Sequence, residues 1–199
     1  MISKLFFLFS LAIFSHTVFS QNSTAEQRPQ AYLLSSGDTR PAISRPRRVS
    51  TDTVNDYENK GYELYKDSTL ERQVFDLINE RRVQSGLFLL EWSDDIAKMA
   101  RQHSENMAHH KFFSHTDLKG LMVNDRADAF GIKKWQAIGE NIAYNRGYEN
   151  PAVFAVERWM QSPSHRENLL SSRWKESGIG IAVTADGTYY FTEVFLSRK

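Results

Sequence analysis

Cysteine is absent from all 199 residues. That excludes the disulfide staples on which small exported domains often rely. It also removes the thiol that a lipoprotein anchor needs. The fold must stand on its apolar core, and about 130 residues suffice for one such core. After the first twenty residues no apolar run approaches the ~20 positions of a spanning helix. A His-Glu-x-x-His motif is missing, so a zincin protease has no support. A Gly-x-Ser-x-Gly elbow and a phosphate loop are missing too, which argues against an α/β-hydrolase and a nucleotide enzyme. Charge of one sign does not dominate either: the formal net charge is +1.

What is present begins with an export signal. Lys4 supplies a positive start, and Leu5–Phe9 with Leu11–Phe14 an apolar stretch. Val18–Phe19–Ser20 ends it with side chains suited to cleavage, so residues 1–20 read as a signal peptide. Ser10, Ser15 and His16 interrupt the run, against a membrane anchor. Residues 21–66 read as a disordered basic tether, rich in Gln, Ser and Thr, with Pro29, Pro41 and Pro46. Five arginines (Arg28, Arg40, Arg45, Arg47, Arg48) face only Glu26 and Asp38 up to Ser50. Lys4 contributes one positive charge and residues 21–50 three, which leaves −3 for residues 51–199. The arginines have no aromatic neighbours, so nucleic acid is not an expected partner.

The domain spans 67–199 in this reading. Ser68–Thr69–Leu70–Glu71 has the form of a capping box, and Leu70, Val74, Leu77 and Ile78 share one helical face. Gly86 stops that helix, and Leu87–Leu90 is an extended link. Ser93 is placed to cap a second helix, whose inward positions include Ile96, Ala100, His103 and Met107. Val123–Phe130 gives a third helix, Asn150–Pro151 starts a fourth, and Ser162–Pro163 starts a fifth. Ile179–Val183, a turn at Asp186–Gly187, and Tyr189–Phe195 form a hairpin. Helices first and strands last indicate an α+β fold.

Three polar islands in apolar surroundings carry the chemistry. They are Phe112–Phe113–Ser114–His115, Gly139–Glu140–Asn141–Ile142, and Trp159–Met160 through Ser162–Pro163–Ser164–His165–Arg166. Two imidazoles and a carboxylate can bind a divalent ion and leave positions for water. The same groups can instead form an imidazole–carboxylate network that only holds loops together.

At these motifs the chain resembles the CAP superfamily, also called the SCP domain, in its cysteine-free bacterial branch. The similarity runs from Leu70 to Phe195. It takes in Val74–Arg82 (VFDLINERR), the three islands, and Phe191–Thr192–Glu193–Val194–Phe195. The resemblance implies a three-layer α-β-α sandwich with a cleft at one end. In eukaryotic members that cleft carries two histidines and two glutamates, and some bind zinc. His115 and Glu140 match two of these. The family's helical glutamate falls near Ser162 and its strand histidine at Tyr190, while Glu193 stands where glutamine is usual. His165 is the candidate substitute for a lost group. The expected ligand-binding set is therefore His115, Glu140, His165, Glu193 and Tyr190. His115, His165 and Glu140 are the expected donors for zinc or another divalent metal.

The resulting expectation is a secreted binding module, periplasmic or extracellular and monomeric. Its cleft would hold a lipid-like molecule, a cell-wall fragment or a metal ion. Two alternatives stay open: a hydrolase with a cleft histidine as general base and Glu140 as orienter, and an interaction protein without a cleft ligand.

Overall fold

The computed structural model describes residues 30–38 and 68–198. In chain order the elements are β1 (Gln30–Asp38), α1 (Ser68–Gln84), β2 (Glu91–Trp92), α2 (Asp94–His110) and α3 (Val123–Ala129). They continue with β3 (Trp135–Arg146), α4 (Pro151–Gln161), α5 (Pro163–Leu169), β4 (Glu176–Val183) and β5 (Thr188–Arg198). The strands make one sheet in the order β1-β3-β5-β4-β2. Among the described residues only the short β2–β4 pairing is parallel.

Strand alternation divides the core into two layers. Phe191 and Phe195 of β5 pack with Val74 and Ile78 of α1, Val156 and Trp159 of α4, and Leu169 of α5. Val194 and Leu196, from the same strand, pack on the opposite face with Ile96 and Ala100 of α2 and Val123 and Ala127 of α3. The architecture is thus the α-β-α sandwich that the resemblance implies.

The layer of α2 sits unusually close to the sheet because β4 has no side chains in the way. A Cβ at Gly178 would lie 2.2 Å from the Ala97 nitrogen, and one at Gly180 would lie 1.9 Å from the Arg101 nitrogen. Ser104 uses that closeness, donating to the Gly180 carbonyl at 2.9 Å and sharing a 2.8 Å hydrogen bond with Thr192 Oγ1.

Several local expectations need correction. Glu71 does not reach back to a helix end. Its carboxylate, fully buried, binds the Arg101 guanidinium and accepts from the Ile181 amide at the open edge of β4. An ion pair across two layers outcompetes a local cap there. Ser93 and Asn150 precede their helices but form no side-chain caps. The strand β3 was not legible: covered on both faces over most of its length, it lacks the polar–apolar alternation of a half-exposed strand. Within the span 21–66 expected as a tether, Gln30–Asp38 pairs antiparallel with β3. The edge of β3 offers unpaired amides and carbonyls, and a strand laid there satisfies them. The expected signal peptide at 1–20 and the rest of the tether lie outside the described residues. Among the described residues no helix is long and apolar enough to cross a membrane.

Candidate functional site

The site grows from two adjacent residues of β3. Glu140 and Asn141 leave the strand on opposite faces. Glu140 enters the layer of α2 and α3 and is wholly buried. One carboxylate oxygen is bound by the Arg126 guanidinium of α3. The other lies 2.7 Å from His115 Nδ1. An ionised carboxylate only accepts, so His115 Nδ1 carries a proton and donates it to Glu140.

His115 is placed by its own backbone. Lys111 ends α2 in the left-handed region, at φ 54°. The chain then turns through Phe112, whose ring meets His103 edge-on at 6.2 Å. His103, buried on α2, donates from Nε2 to the Ser114 carbonyl at 2.9 Å. Arg126 Nη1 donates to the His115 carbonyl at 2.7 Å and to the Leu121 carbonyl at 3.0 Å. Two buried side chains therefore clamp consecutive carbonyls of the loop. Ser114 Oγ accepts from the Thr116 amide at 3.1 Å, which closes a local turn.

The electrostatics follow from burial and these partners. Burial opposes ionisation of Glu140, but Arg126 and the His115 hydrogen bond outweigh it and hold the carboxyl at about 2. Burial pushes the His103 imidazole down to about 4, against the pull of Glu140. His103 is therefore neutral at pH 7. The His115 side chain keeps 14% of its surface exposed, although Nε2 itself is shielded from solvent.

Beside this charge pair lies an aromatic shelf on the same sheet face. Phe113 meets Tyr144 edge-on at 4.9 Å, and Tyr144 stacks on Tyr190 at 5.5 Å across the β3–β5 pairing. Both tyrosines are half-buried. Burial raises the Tyr190 phenol above its ordinary range.

The remaining expected residues belong to the other face. Asn141 donates to the His165 carbonyl at 3.2 Å and accepts from Asn168 at 3.0 Å, which binds α5 to that side. His165 Nδ1 shares a 2.6 Å hydrogen bond with Ser162 Oγ, so Ser162 serves the imidazole rather than the helix start. Glu193 also points into the α1 and α5 layer. It is wholly buried, with Ser177 Oγ donating to it at 3.3 Å. Burial raises its carboxyl well above the usual range, and the Arg82 charge does not offset this. Glu193 is thus an interior residue. Of the expected donors, His115 and Glu140 meet on one face and His165 lies on the other, and among the described residues no group of three or more His, Cys, Asp or Glu side chains is placed to hold an ion.

Arg126 and His103 are the residues that sequence reasoning undervalued. His103 falls on the inward face of its helix at Ile96, Ala100, His103 and Met107 spacing, which is a usable signal. Arg126 suits structural hydrogen bonds to loops by its sequence, and it makes them to the His115 and Leu121 carbonyls, but its Glu140 partner lies on another element and leaves no local signal.

The chain belongs to the CAP family of cysteine-rich secretory proteins, whose family model matches residues 75–195. It is 34% identical over 180 residues to the uncharacterised membrane protein YlbC of Bacillus subtilis, covering 90% of this chain and 45% of that one. An extracellular protein of Bacillus anthracis containing an SCP domain is 30% identical, with a TM-score of 0.58 over 66% of this chain and 41% of that chain. An outer surface protein of Borrelia burgdorferi shares the fold at 24% identity, with a TM-score of 0.63 over 70% of this chain and 100% of that one. The chain spans less than half the length of the Bacillus subtilis relative.

Proposed function

We propose that the protein is an exported binding module that takes a small ligand on the shelf formed by Tyr144 and Tyr190. His115 would stand at its border, its ring partly exposed and its Nδ1 held by Glu140. The observation that carries this reading is the run of ring contacts from Phe113, two residues before His115, to Tyr144 and on to Tyr190, on a half-buried surface. Binding sites commonly pair a largely apolar floor with few positioned polar groups. Tyrosine faces suit the rings or acyl chains of a lipid-like molecule, or the sugar faces of a cell-wall fragment. The extracellular and surface relatives support export.

General-base hydrolysis is the second reading, favoured by the His115–Glu140 contact at 2.7 Å. It is the weaker one because Arg126 already neutralises the same carboxylate, which lessens what Glu140 can add to the basicity of His115.

The test is a titration of the purified protein with a phospholipid, a sterol and soluble peptidoglycan fragments, followed by calorimetry. One of these should bind, and Tyr144→Ala and His115→Ala should each weaken it about tenfold or more. Binding unchanged in both variants would refute the reading. Turnover of a bound fragment, lost in His115→Ala, would move the protein to the second reading.

A further inference from the structure

The end of α1 and the loop after it carry the largest apolar exposure among the described residues. Phe88 is 86% exposed, Leu89 60% and Val83 57%. They lie at the far end of α1 from its first residue, Ser68, about 25 Å away along a helix of this length.

This tip is a built structure. Its amides are bonded inward: Ser85 and Leu87 donate to the Arg82 carbonyl and Gly86 to the Val83 carbonyl, all within 3.0 Å. Leu90 donates to Asn79 Oδ1 at 2.8 Å, and Asn79 Nδ2 donates back to the Leu90 carbonyl at 3.2 Å. The buried Arg82 fixes the rest. It donates to the Phe88 carbonyl at 3.1 Å and, on the neighbouring loop, to the carbonyls of Leu169 and Ser171 at 2.8 and 3.0 Å. Two loops are thus tied together, with the amides of Ser85, Gly86, Leu87 and Leu90 and the carbonyls of Phe88 and Leu90 turned in and the side chains of Phe88 and Leu89 turned out. That arrangement suits a hydrocarbon boundary, where an unpaired backbone group is costly.

The charges nearby are of the matching sign. Arg173 and Lys175, both exposed, stand on the loop that Arg82 clamps to the tip. The Lys175 carbonyl accepts from the Glu91 amide, which holds this loop alongside. Glu91 is the exposed acid at the edge of the pair. A convex apolar point with two cations at its base complements a deformable, negatively charged surface.

We propose that Val83, Phe88 and Leu89, with Arg173 and Lys175 beside them, dock the protein on an anionic lipid bilayer. The contact is peripheral: the loop side chains enter the interface and the cations meet the headgroups. It is separate from the His115 site and independent of the ligand reading above.

The experiment is co-sedimentation of the full chain with vesicles of phosphatidylglycerol and phosphatidylcholine, compared with phosphatidylcholine alone. Wild type and variants carry the same residues 1–66, so their export segment and arginines contribute equally. Phe88→Ser with Leu89→Ser should lower partitioning about tenfold or more. Arg173→Glu with Lys175→Glu should lower it on the anionic vesicles only, with an effect that fades as salt rises. Phe88→Trp should show blue-shifted emission on vesicles, quenched by brominated acyl chains. Partitioning unchanged in the double-serine variant, or Phe88→Trp emission unquenched by bound vesicles, would overturn the proposal. So would a stable dimer that the double-serine change dissolves, because the tip would then cover a second copy.

Discussion

Glu140 and Asn141 are joined by one peptide bond and organise opposite faces of the sheet. The first holds His115 and α3 through a buried ion pair. The second holds α5 through the His165 carbonyl. The Gly139 before them is shaped by the same crowding. A Cβ there would lie 2.9 Å from the Trp174 ring, which stacks on Phe195. The motif is therefore a three-residue joint between the layers, and the binding role we propose uses one side of it.

Removing one partner of the buried pair should cost more than removing both. Arg126→Met leaves Glu140 charged and uncompensated, for a loss of about 3–5 kcal/mol. Arg126→Met with Glu140→Gln should recover a large part of it. Urea denaturation at pH 7 of both variants and Glu140→Gln closes the cycle. A loss in the double variant equal to the sum of the two single losses would mean that the pair is not coupled.

Acid should weaken the protein in two windows. The His103 imidazole titrates near 4 in the fold against an ordinary value of 6.5. The unfolded chain takes its proton first, so stability falls as pH drops from about 6.5 to 4, by at most about 1.4 kcal/mol per pH unit. The Glu140 carboxyl titrates near 2 against 4.5, so its contribution is full above 4.5 and is lost as pH falls toward 2. His103→Gln retains a donor for the Ser114 carbonyl and should flatten the upper window alone. Thermal melts from pH 3 to 8 read both.

Glu193 should behave in the reverse sense. Its carboxyl stays protonated in the fold above the ordinary value of 4.5, while the unfolded chain has released the proton. Stability is therefore lost as pH rises beyond about 4.5. Glu193→Gln keeps an acceptor for Ser177 and removes the titration. The variant should be more stable than wild type, by a margin that grows with pH over the same series of melts.

The glycines of β4 should be less replaceable than that of the motif. Gly180→Ala drives a methyl group into the Arg101 backbone, and Gly139→Ala only into the rim of an indole. Overpacking of this kind costs about 1–3 kcal/mol, with the backbone clash at or above the upper end. Calorimetric melting of the two variants should rank Gly180→Ala well below Gly139→Ala.

How far the sequence reached depended on whether a signal was local. All five helices, α1 to α5, and the last hairpin are legible from period and turn chemistry. His115 and Glu140 stood out as polar residues in apolar motifs. His165 lies on the other face, held at its carbonyl by Asn141, and that division follows from strand alternation at Glu140–Asn141, which the apolar surroundings of β3 conceal in the sequence. Arg126 could not have been paired with Glu140, because that contact depends on how α3 lies on the sheet. Ser68–Glu71 shows the converse, a local motif whose acid is taken by a tertiary partner.

The proposed binding role depends on Glu140 fixing the tautomer of His115. Long-range proton–nitrogen NMR of the ring, in wild type and Glu140→Gln at pH 7, measures that directly. Wild type should show Nδ1 protonated and hydrogen-bonded, and Glu140→Gln should weaken that preference. A wild-type ring that carries no proton on Nδ1, or one indifferent to the Glu140→Gln change, would contradict this arrangement of the site.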